Sequence, residues 1–140
     1  MEIHIKIVGW LLVALALLHG VFPRYFRWKE EFANISLLSR QIMYIHTFFI
    51  ALIVFLMGIL CLTSAKELLE TPLGNKVCLG MGIFWLARLY VQFFGYSSKL
   101  WQQKRFETFI HISFVFLWTY MSFIFLFIGL MPTFSIHLSK

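Results

Sequence analysis

Residues 41–65 of this chain contain no Lys, Arg, Asp or Glu, and neither do residues 108–139. Either run exceeds the roughly 20 residues needed to cross a hydrocarbon core. Within lipid a backbone must satisfy its own N–H and C=O groups, which leaves only helices and closed barrels. Runs of this length without period-two alternation are helices. Two shorter apolar runs accompany them, so the expected fold is all-α: an integral membrane four-helix up-down bundle. It forms a single domain over residues 1–140, with spans at about 5–22, 40–65, 77–96 and 106–131. Composition agrees, since 61% of the residues are hydrophobic and 13% charged, too few charges to cover a soluble domain of this length.

The first run, Lys6 followed by Ile7–Leu18, has the outline of a signal peptide. No small-x-small cleavage site follows it, however, and Arg24, Arg27 and Lys29 hold it as a retained span. Proline and glycine punctuate the rest. Pro23 is expected to end the first helix, and Pro72 to stop the second after it continues through Lys66–Leu69. Gly74-Asn75 is read as the turn that follows, and Pro132 as a break in the fourth helix.

The formal net charge of +6 is explained by topology. A nucleic-acid binder clusters Lys and Arg on a soluble face, and no soluble domain is present to carry one, so nucleic acid is excluded as a partner. The basic residues flank the spans and face the lipid bilayer. One side holds Arg24, Arg27, Lys29, Arg40, Lys99, Lys104 and Arg105; the other holds Lys6, Lys66, Lys76 and Lys140. The positive-inside rule then places both termini on the non-cytoplasmic side.

Three of the four spans carry one histidine each. His19 lies five residues before Arg24, His46 six after Arg40 and His111 six after Arg105, while the third span supplies Gln92 seven residues before Lys99, with Arg88 one turn deeper. At about 1.5 Å per residue, His19, His46, His111 and Gln92 all fall roughly 7–11 Å below the charged boundary on the cytoplasmic side. Polar groups are costly inside a bilayer, so a layer of them marks a functional site.

Helical periodicity asks which of these groups face a packed interior. In the fourth span Thr108, His111, Val115, Trp118, Ser122 and Gly129 form one stripe; in the third, Cys78, Met81, Trp85, Arg88, Gln92 and Gly95; in the first, Gly9, Leu12, Ala16, His19 and Gly20. Small and polar residues are what membrane helices turn toward one another. The second span is the exception. Its stripe is Arg40, Tyr44, Thr47, Ala51 and Gly58, and His46 lies roughly 100° from Thr47.

All six acids are glutamates, and none lies deep in a span, so paired-carboxylate chemistry and a carboxylate-bridged metal centre are excluded. No nucleophile elbow, zinc-protease motif or phosphate loop occurs. Cys61 and Cys78 read as two unrelated small core residues.

Histidine and a permanently charged arginine remain. The specific expectation is a b-type haem, with His46 and His111 on diagonal helices as axial ligands, His19 auxiliary, Gln92 lining the site and Arg88 meeting a propionate. The same residues could instead bind another anionic ligand. A zinc or copper ion held by His19, His46 and His111 is the alternative, with Gln92 or water completing the shell. A proton or small-solute path is a further reading. A non-catalytic role as a subunit of a larger membrane complex or a homo-oligomer stands beside all of these. No reaction follows from the residues alone.

Overall fold

The computed structural model describes residues 1–25, 27–95 and 105–138. They form six helices: α1 (Glu2–Tyr25), α2 (Trp28–Glu31), α3 (Leu37–Thr63), α4 (Ala65–Glu70), α5 (Pro72–Phe94) and α6 (Arg105–Leu138). Four of them, α1, α3, α5 and α6, are long and apolar enough to cross a membrane. Lys99, Lys104 and most of the link between α5 and α6 lie outside the described residues. The chain divides into two compact units, residues 1–65 and 66–140.

In the first unit α1 packs against α3. Ile5, Val8, Leu12, Leu15 and Ala16 supply the buried face of α1, and Val54, Gly58 and Cys61 that of α3. Gly58 is what lets the two backbones approach. A Cβ at that position would stand 2.9 Å from the carbonyl oxygen of Gly9 and 3.1 Å from the amide nitrogen of Val13. Ser36 caps α3, its Oγ accepting from the Ser39 amide at 3.2 Å.

In the second unit α5 packs against α6 around Cys78, Met81, Trp85, Trp118, Met121, Phe125 and Ile128, all buried. Gly129 makes the closest crossing, since a Cβ there would stand 2.7 Å from both the Cα and the amide nitrogen of Leu79. Without a hydrophobic driving force between helices in lipid, such close backbone packing is the main attraction available.

The outward faces are apolar, including Trp10, Phe48, Phe93, Phe94, Phe109, Phe116 and Phe123. The exposed hydroxyls among them do not break the pattern. Thr47, Ser113 and Thr119 donate to the carbonyls of Met43, Phe109 and Val115, each four residues back, at 2.7–2.9 Å. Polar side chains satisfied in this way by their own helix can face lipid.

Several punctuation readings are corrected. Pro23 sits inside the last turn of α1, where it removes only one backbone donor, and the helix closes at Tyr25. The α6 backbone likewise continues past Pro132 to Leu138. The second span breaks at Ser64 (φ −121°, ψ 33°), before α4 rather than at Pro72. Pro72 opens α5 instead, at a position whose N–H has no helical partner, and Thr71 caps it by accepting from the Gly74 amide at 2.9 Å. Gly74 and Asn75 are therefore helical, and Gly74 is the point where α5 passes against Glu67 and Leu68 of α4.

Candidate functional site

The second unit gathers three of the candidate residues. Gln92 is buried on α5, and its Nε2 lies 2.7 Å from His111 Nδ1 on α6. One turn deeper, Arg88 Nη1 donates to Gln92 Oε1 at 3.4 Å. The guanidinium is always protonated and has only donors, so it orients the amide. Oxygen faces Arg88 and nitrogen faces the imidazole. Gln92 Nε2 then donates to Nδ1, and neutral His111 carries its proton on Nε2.

Beneath this chain of groups lies an aromatic wall. Trp118 stacks on Trp85 (centroids 5.0 Å, planes 10° apart) and on Phe114 (5.4 Å, 13°). The Arg88 guanidinium carbon sits 5.2 Å from the Trp118 ring centroid, within cation–π range. The indole N–H groups of Trp85 and Trp118 and the Ser122 hydroxyl are buried, and none has a hydrogen-bond partner among the described residues. Arg88, both tryptophans and His111 therefore supply N–H donors along one seam, with Gln92 as the link between two of them.

The first unit treats its histidines differently. His19 is half-buried, and its Nδ1 donates to the Leu15 carbonyl at 2.8 Å; His46 is exposed, and its Nδ1 donates to the Ile42 carbonyl at 3.0 Å. Each bond is to a backbone oxygen, which can only accept, so in the neutral form of either ring the proton sits on Nδ1.

They are not brought level. Gly58 lies against Val13, and Trp28 meets the ring of Tyr44 at 5.5 Å. In this antiparallel register His19 stands beside about Leu52 and His46 beside about Tyr25. The two rings are thus separated by roughly 9 Å along the helix axis. The expectation of equal depth took Arg40 as a boundary, whereas α3 starts at Leu37 and runs well past the end of α1 before the two pair. His46 accordingly stands near the level of Trp28 and Tyr44.

Among the described residues no three of His, Cys, Asp and Glu stand together as a metal-binding group. Sequence reasoning placed Trp85 and Trp118 on the right stripes but did not assign them to the site. Their spacing from Arg88, Gln92 and His111, by three or seven residues, was the available signal. Comparison with protein-family models, curated proteins and solved structures returns no match for this chain.

Proposed function

We propose that this chain is a multi-pass membrane protein that binds an oxyanion-bearing ligand at Arg88, Gln92, His111 and Trp118. One observation carries the reading: a permanent cation in the third span shares a seam with indole donors that have no acceptor among the described residues. Buried donors of this kind are costly unless something accepts from them. A carboxylate or phosphate supplies acceptor lone pairs together with the complementary charge. The Gln92–His111 bond would hold the two helices in the spacing the ligand needs.

The test is a titration of the purified protein with inorganic phosphate and with butyrate, followed by the fluorescence of Trp85 and Trp118. Saturable change is expected, lost in Arg88→Leu and weakened in Arg88→Lys if the contact is bidentate. Absence of binding by every oxyanion tried would reject the reading.

A second reading keeps the b-type haem, whose propionates would be the anion. It is favoured by the ring setting of His46, whose Nδ1 is held by the Ile42 carbonyl, so that in the neutral ring Nε2 carries the lone pair a metal would need. His111 would have to exchange its tautomer, and Gln92 to turn, before its Nε2 could do the same. A zinc or copper ion would draw on one of the His19 and His46 rings but not on both, given their separation along the helix axis. An absorption spectrum with and without dithionite, together with elemental analysis, separates these cases. Silence in both and no anion binding would leave a packing subunit of a larger complex or an oligomer.

The up-down arrangement of the four spans, with both termini non-cytoplasmic, completes the proposal. It rests on the seven-to-four division of basic residues between the two sides.

A further inference from the structure

We infer that the ligand of the Arg88 site is an amphiphile that reaches it from the lipid, its oxyanion head at Arg88 and its tail along α6. The inference rests on the oxyanion reading above. Its own observation is a shallow apolar groove of about 220 Å³ on α6, lined by Phe109, Ile110, Ser113, Phe114 and Leu117.

One residue ties that groove to the site, and two further features suit it to a tail. Phe114 belongs to both, forming part of the groove and stacking on the Trp118 ring beside which Arg88 sits. The groove runs from Phe109 to Leu117, roughly 12 Å of helix, which suits part of an acyl chain better than a compact polar solute. Its single hydroxyl is withdrawn, because Ser113 donates to the Phe109 carbonyl at 2.9 Å, leaving a surface that offers a tail nothing polar. A small water-soluble anion would need the donors but not the groove. An acidic lipid uses both, and a zwitterionic lipid leaves the cation poorly matched.

The experiment uses the full chain in nanodiscs with Trp10, Trp28 and Trp101 replaced by Phe, so that only Trp85 and Trp118 report. Tail-brominated oleate and tail-brominated phosphatidylglycerol carry the two oxyanion heads, with brominated phosphatidylcholine as the control. Saturable quenching by an acidic lipid, well above the phosphatidylcholine background, is expected; oleate alone or phosphatidylglycerol alone identifies the head as carboxylate or phosphate. Ser113→Phe fills the groove and should weaken the acidic lipid at least tenfold while leaving butyrate binding unchanged, which also reports that the variant is folded. If Ser113→Phe perturbs butyrate, the smaller Ser113→Leu takes its place in the same comparison. Quenching equal to that by phosphatidylcholine, or acidic-lipid binding indifferent to both Ser113 variants, overturns the amphiphile while butyrate binding leaves the anion site standing. Failure of butyrate, phosphate and acidic lipids alike removes both.

Discussion

At the scale of single residues, the side chain that decides the most is Gln92. It bonds to both Arg88 and His111, so it passes the orientation set by a fixed charge to a ring on another helix. Two outcomes follow. Neutral His111 should carry its proton on Nε2, whereas His19 and His46 should carry theirs on Nδ1; long-range proton–nitrogen correlation spectra of the labelled protein distinguish the tautomers, and a shared one for all three would contradict the assignment. Gln92→Leu should lower stability by about 0.5–2 kcal/mol, the range for an interhelical hydrogen bond in lipid and the group it leaves unsatisfied. The measurement is unfolding in mixed micelles, and an unchanged midpoint would show that the bond contributes nothing. Much of this site was legible beforehand, because Arg88, Gln92, His111 and Trp118 recur at helical intervals on two stripes. Which donor meets which acceptor was not, since that depends on the rotation and register of two helices that periodicity leaves free.

At the scale of elements, the helix pairs depend on where the backbone lacks a side chain. Gly129→Ala would place its methyl against the backbone of Leu79, which cannot swing aside as a side-chain end can. A loss of about 1–3 kcal/mol is expected. Gly80→Ala is the counterpart: a Cβ there meets nothing within 4 Å, so replacing a mid-helix glycine should gain about 0.5–1 kcal/mol. Thermal unfolding of both variants checks the pair, and the opposite signs are the point of the comparison. The spans themselves could be read from hydropathy, whereas the register of their pairing could not. His19 and His46 seemed level because each was measured from the nearest arginine, yet a charged residue near a helix end marks the membrane surface only loosely. Prolines misled for a related reason. Pro72 opens a helix and Pro23 lies in a last turn, where few helical bonds are at stake, whereas α6 runs on past Pro132 for nearly two turns.

At the scale of the whole chain, the proposed arrangement of loops about the membrane rests on charge. Ala33, between α2 and α3, and Glu70, at the end of α4, are both exposed. Ala33→Cys should label from the cytoplasmic side and Glu70→Cys from the other; the reverse pattern would invert the orientation. The native cysteines interfere little with such labelling, being buried. Their placement has a kinetic consequence as well. Cys61 belongs to the first unit and Cys78 to the second, so each helix pair encloses its own thiol. A thiol reagent can react with either only when that pair opens, and the rate at which each sulfur is consumed reports the opening free energy of its own surroundings. Two different rates would show that the hairpins breathe independently, and one common rate that they open together as a single cooperative body.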